Sequence, residues 1–204
     1  VSAARALSKR PSARAVSALI DSLRSDRSWI VRSAAASALG KVRGDLARDA
    51  LIEAVASTSS PKARRAVVRA LGAFRHQPAV ADTLARIAEH GDESYFVEAE
   101  ACLSLGKVRA DGAAALLMRA SERDAFLDTI RTHCYEGLAE LRDDEVVPFL
   151  MKATAYGRPS YGRRAALSAL GKLGRGRKDR LEREIRERAE ELLRDPDFRI
   201  QSAP

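Results

Sequence analysis

Large aromatic side chains are scarce in this chain: they make up 5% of its 204 residues, with a single tryptophan. That scarcity predicts thin, closely spaced elements that meet through small side chains, not a core filled by rings. Cysteine is nearly absent as well. Cys102 and Cys134 are too few for a disulfide framework. Both fall inside helical patterns and read as small core residues or reduced surface thiols, with a lean toward the cytoplasm. No apolar run approaches the roughly 18 residues of a transmembrane helix, and no signal-peptide pattern opens the chain, so no membrane partner is expected. Val1 already lies within a helical pattern, which predicts a piece cut from a longer protein.

What is abundant is alanine, leucine and arginine. Apolar residues reach 46%, enough for a continuous core and too many for a disordered chain. The net charge is +8, which raises the prospect of a nucleic-acid partner. Along the chain, eight cations between Arg158 and Arg180 face one acid, Asp179, and the remainder is close to neutral. This block reads either as a solvated basic end or as a site for an anionic partner.

A ten-residue pattern recurs through the chain, beginning at Val31, Ala63, Val97, Ile130 and Gly162, with a degenerate copy over Ser2–Ser8 and a truncated one from Phe198. The full copies follow at intervals of 32 to 34 residues, the mark of a stacked-repeat architecture. Its ninth position is always leucine (Leu39, Leu71, Leu105, Leu138, Leu170) and its fifth is small or modest in size. Apolar residues at positions 1, 5, 8, 9 and 12 form one stripe of a helix. Gly40, Gly72, Gly106 and Gly171 fall at position 10, near the expected helix ends, where a positive φ is often needed. Between these B helices lie partner A helices, read over 15–23, 49–55, 80–87, 113–118, 146–151 and 181–193. Each hairpin buries its stripe only by stacking on its neighbours. The whole is expected to be an all-α, right-handed α-solenoid of about six hairpins, one domain over 1–204, with the B helices on the concave face. The charged segment 172–204, rich in Arg–Glu pairs such as Glu182 with Arg186, is expected to cap it.

The Val-Arg-x-x-Ala-x-x-Ala-Leu-Gly pattern resembles the short HEAT-like repeats of the bilin-lyase type, over nearly the whole chain. A narrower resemblance lies in residues 94–101, 130–139 and 156–171, which look like the C-terminal helical region of bacterial aminopeptidase-N-like zinc metallopeptidases. In that family the region braces a separate catalytic domain. The family's zinc-binding H-E-x-x-H and substrate-binding G-x-M-E-N are missing here: His76, His90 and His133 are followed by Gln77, Gly91 and Cys134. The resemblance therefore implies the non-catalytic end of such an enzyme.

No nucleotide-binding or nucleophile motif is present, and His133–Cys134, neighbours on a helix, make a poor chelate. No catalytic residue, metal or cofactor is expected. Glu98 and Glu100 read as paired carboxylates on a solvated helix face. Arg32, Arg64, Arg131, Arg163 and Arg199 form a column broken by Glu98. It reads as a basic ladder or, more plainly, as arginines bonding acids or carbonyls of the preceding turn, near Asp26, Asp128 or Asp197. Bulky residues just before the B helices (Trp29, Tyr95, Phe96, Phe126, Tyr161) would align along one edge as packing staples or as a recognition row. With Glu98, Tyr156, Arg158, Arg163 and Arg164, the residues Trp29, Tyr95, Phe96 and Tyr161 are the candidate partner contacts, and the loop Tyr156–Tyr161 is the best single candidate. The expected function is a non-catalytic protein-interaction or bracing module, with a protein partner, covalently linked or separate. The alternative is a nucleic-acid-binding HEAT-like protein of the DNA-repair type, using the basic C-terminal block.

Overall fold

The computed structural model describes residues 2–9 and 12–202; Val1, read above as part of a helical pattern, lies outside them. The described residues form helices and no strand. In order these are α1 (Ser2–Lys9), α2 (Ala13–Ser25), α3 (Trp29–Val42), α4 (Asp45–Ser57), α5 (Pro61–Leu71), α6 (Pro78–His90) and α7 (Tyr95–Val108). They continue with α8 (Ala113–Ala120), α9 (Thr129–Leu141), α10 (Val147–Ala153), α11 (Ser160–Gly174), α12 (Arg180–Leu192) and α13 (Phe198–Gln201). Short 3-10 turns at Phe126–Asp128 and Asp144–Val146 lead into α9 and α10. Odd-numbered helices are the B helices of the repeat and even-numbered ones the A helices, so the α-solenoid read from the periodicity is the fold.

The leucine column explains the register. Leu39, Leu71, Leu105, Leu138 and Leu170 are all buried, and they meet Leu19, Leu51, Leu84, Leu117 and Leu150 from the A layer in one continuous core. Each such side chain contributes about 1.5–3 kcal/mol when withdrawn from water.

The position-10 glycines do something other than expected. A Cβ on Gly106 would come within 2.1 Å of the Gly137 carbonyl oxygen, and one on Gly40 within 3.0 Å of Ala70. These glycines let consecutive B helices approach backbone to backbone. The positive φ falls three residues past position 10 at Arg43 (61°), Arg109 (54°) and Arg142 (59°), and four past it at His76 (55°). Helices α3, α7 and α9 thus continue two residues past position 10 before the chain reverses, whereas α5 ends at Leu71, before Gly72. The B helices, packed through glycine and alanine at these contacts, are called the inner helices and the A helices the outer ones.

Charge divides along the same lines. The inner helices α1, α3, α5, α7, α9 and α11 carry a net +9, and the outer helices α2, α4, α6, α8, α10 and α12 a net −1. On α12, Ile185 and Leu192 are buried, whereas Leu193, just past its end, is exposed. Arg186 pairs with Glu182 as the spacing suggests, Glu184 bonds Arg180, and Arg188 bonds Glu191.

Candidate interaction surface

The edge where A helices turn into B helices is held by arginines whose bonding the sequence foreshadows only in part. Arg64 on α5 donates to the Thr58 carbonyl oxygen at 3.0 Å, at the end of its own A helix, and to Asp92 at 2.8 Å, in the turn of the following repeat. Arg163 on α11 repeats the arrangement with the Thr154 carbonyl oxygen at 3.0 Å and a two-pronged pairing with Asp195. Arg131 bonds the Ser121 carbonyl oxygen at 2.9 Å and Asp128. The carbonyl does come from the preceding turn. The acid for Arg64 and Arg163 comes from the next one, so each of these side chains ties two repeats together. Asp26 and Asp197 instead accept from the backbone N–H of Ser28 and Arg199, and Nε of Arg32 is buried with no partner.

Glu98, the one break in the arginine column, completes the pattern with its charges exchanged. It is buried and bonded to Arg123, from the turn of the following repeat, and Arg123 in turn reaches the Glu89 carbonyl oxygen in the preceding one. Acid and guanidinium have traded positions within the same triangle. Glu100 is also buried, 1% exposed, where it accepts from Arg65 at 3.0 Å and from both forks of Arg69 at 3.0 and 2.6 Å. Burial pushes the Glu100 carboxyl up, but Arg69 and then Arg65 outweigh it and hold it below the usual carboxylate range. The expectation of two carboxylates on a solvated face is thus corrected: both are sealed in, each by arginine. The Asp195 carboxyl is likewise held low by Arg163.

The bulky residues lie along this edge and remain open to solvent. Trp29, Phe96 and Tyr161 are 41–45% exposed, Phe126 is 67%, Phe198 is 70% and Tyr156 is 77%. Tyr95 is half-buried against Phe96, with ring centroids 4.3 Å apart. Cations cover several rings: Lys62 stands 4.8 Å from the Trp29 centroid, Arg65 5.4 Å from Phe96 and Arg163 5.8 Å from Tyr156. Such contacts orient a ring without burying it. Of the nine residues singled out in the sequence, Trp29, Phe96, Tyr156, Arg158, Tyr161 and Arg164 are exposed on this edge, whereas Glu98 and Arg163 are buried within ion pairs. Phe198, Leu193 and Leu127 also reach the surface, though none is among those nine.

The densest part of the edge lies at α11 to α13. The Ser160 hydroxyl bonds Asp197, which sets the starts of α11 and α13 side by side. Next to them is an open depression of about 410 Å³ lined by Tyr156, Arg163, Arg188, Arg194, Asp195 and Pro196, among others. Within the basic block, Arg177 pairs with Asp144 and Asp179, while Arg158, Arg164, Lys172, Arg175 and Lys178 are exposed.

Elsewhere the chemistry is sparse. Cys102 and Cys134 are free and buried side by side; the hydrogen bond between them, and then burial, push the Cys134 thiol up, away from thiolate reactivity. His133 Nδ1 lies 2.9 Å from the Thr129 carbonyl oxygen, a bond internal to α9. Among the described residues, no three His, Cys, Asp or Glu side chains gather to hold a metal ion, and no helix is long and apolar enough to cross a membrane.

Comparison with known proteins agrees with the repeat. The sequence matches the profile of the HEAT repeats over residues 1–60, 48–128 and 92–171, overlapping windows that each take in about two hairpins. No curated protein matches it. Among solved structures it is similar to an engineered protein, at 16% identity over 92% of each chain with a TM-score of 0.52. It is also similar to human deoxyhypusine hydroxylase in complex with glycerol, at 19% identity over 98% of this chain and 74% of that one with a TM-score of 0.46. At 16% identity the engineered protein speaks for the fold alone, and the hydroxylase likeness carries no argument. With stacked hairpins, a leucine register and a matching profile over most of its length, the chain belongs to the HEAT-repeat family.

Proposed function

We propose that this chain is a non-catalytic protein-interaction module that engages its partner through the edge where A helices turn into B helices, centred on the Tyr156–Tyr161 loop. The observation that carries this reading is the row of aromatics left exposed beside cations, from Trp29 through Phe96 to Tyr156 and Tyr161. Folding alone favours burying such rings. Tyr, Trp and Arg are the side chains that dominate binding energy at protein interfaces. The solenoid underneath is rigid, so the row is presented with little entropy left to lose on binding.

The partner we favour is the catalytic domain of an aminopeptidase-N-like zinc metallopeptidase, with this chain as its bracing C-terminal region. Support comes from the junctions at 94–101, 130–139 and 156–171, two of which overlap the aromatic edge. Two measurements test the proposal. The isolated chain, given aminoacyl substrates with and without zinc, is expected to show no turnover; metal-dependent hydrolysis would refute the non-catalytic assignment. Replacing Tyr156 and Tyr161 by alanine is expected to weaken binding to a cognate catalytic domain at least about tenfold at unchanged Tm, as loss of a hot-spot pair does. Unaltered affinity would remove the edge from the interface.

A further inference from the structure

The first three inner helices share a property that the linear charge pattern conceals. Helices α1, α3 and α5 contain no Asp or Glu and carry eight cations: Arg5 and Lys9 on α1, Arg32 and Lys41 on α3, and Lys62, Arg64, Arg65 and Arg69 on α5. Two carboxylates from later repeats neutralise part of the set. Asp92 takes Arg64, and Glu100 takes Arg65 and Arg69. Among the described residues, no carboxylate pairs with the cations of α1 and α3. Between them runs a groove of about 520 Å³ whose rim is set by Arg5, Lys9 and Lys41 around the hydroxyl-bearing Ser2, Ser8 and Ser37. Its floor is alanine from both helices, and no carboxylate lines it. Arg5, Lys9 and Lys41 are all exposed.

We propose that this groove is a docking surface for the phosphate backbone of a nucleic acid. Charge complementarity selects the occupant. Arginine, lysine and serine hydroxyls are the side-chain donors that contact phosphate oxygens. The alanine floor offers no group to read bases, so binding here follows the backbone and not the sequence. On the next inner helix most of the cations are taken up, Arg64 by Asp92 and Arg65 and Arg69 by Glu100, so the open cationic face is confined to α1 and α3. The surface is separate from the aromatic edge, and either can fail without the other.

The test is fluorescence anisotropy of the full chain with a fluorescein-labelled DNA duplex of about 20 base pairs, titrated between about 50 and 200 mM salt. The expected result is binding that weakens steeply with salt. The combined Arg5→Gln, Lys9→Gln and Lys41→Gln variant is expected to reduce the slope of log K against log salt by about 2 to 3, one neutralised phosphate per lost cation. A control variant, Arg14→Gln, Arg86→Gln and Lys152→Gln, removes the same charge from exposed positions on outer helices α2, α6 and α10 and is expected to change the slope by less than about 1. Circular dichroism of both variants confirms that they fold. No binding at the lowest salt, or equal loss in the two variants, overturns the proposal. So does displacement of the duplex by polyglutamate at equal charge concentration, which would assign the groove to an acidic protein segment.

Discussion

Glu100 is the residue on which electrostatics and packing meet most directly. Its carboxylate is sealed between α5 and α7 and satisfied by two guanidinium groups, and these outweigh the cost of burial. Glu100→Gln keeps the shape and removes the charge. It is expected to cost about 2 kcal/mol, the order of a lost charge-assisted hydrogen-bond pair whose arginines can still reach water. For a chain of this size that is a fall in Tm of about 4–8 °C, read by thermal melting. The carboxyl is held below its unfolded value, so its contribution is complete above about pH 5 and is lost as the pH falls through the folded value. The variant should therefore show a flatter dependence of Tm on pH in the acidic limb. Parallel curves for the two proteins would contradict the pairing. Glu98 and Arg123 allow a second test. Glu98→Arg and Arg123→Glu are each expected to destabilise, whereas the double exchange restores the polarity seen at Arg64–Asp92 and Arg163–Asp195. A coupling energy of about 1 kcal/mol or more in a double-mutant cycle supports the shared triangle; additive losses would not.

At the scale of the helices, two backbone features control how B helices stack and end. Gly137 lies where an added Cβ would be 2.7 Å from the Cys102 carbonyl oxygen. Gly137→Ala should push α7 and α9 apart and lower stability by about 1–3 kcal/mol, measured by denaturant unfolding. Arg43 has φ 61° and ψ −160°, a region almost reserved for glycine. Arg43→Gly is expected to raise stability by about 1 kcal/mol, and a lower Tm would refute the strain. These helices were legible in the sequence because Leu39, Leu71, Leu105, Leu138 and Leu170 repeat in step with the apolar stripe, and one periodicity dictates both. The positive φ was misplaced because glycine serves close approach as well as left-handed turns, and only the neighbouring helix decides between them. The bonding of the arginine column was half-legible. The carbonyl partner is local, but Asp92 and Asp195 lie 28 and 32 residues beyond their arginines, a separation that means contact only once the stacking is known.

For the molecule as a whole, the solenoid sorts residues into layers that the linear sequence interleaves. The basic block after Arg158 is conspicuous in the sequence, yet a second cationic groove is assembled from two helices well apart in the chain, through Arg5, Lys9 and Lys41. The aromatic row arises the same way, one or two residues per repeat. Glu98 shows the limit of column reading: it looked like an exposed interruption and is a buried structural acid. The proposal that the exposed aromatic edge is the contact surface is put to the test by placing a photo-cross-linking amino acid in turn at Trp29, Phe96, Tyr156 and Tyr161, and at Leu46 on outer helix α4, which is more open to solvent than all of them but Tyr156. Cross-links from Tyr156 and Tyr161 to adjacent peptides of one and the same protein, with none from Leu46, are the predicted result. Cross-linking that is absent from the edge, or no different from that at Leu46, would contradict it.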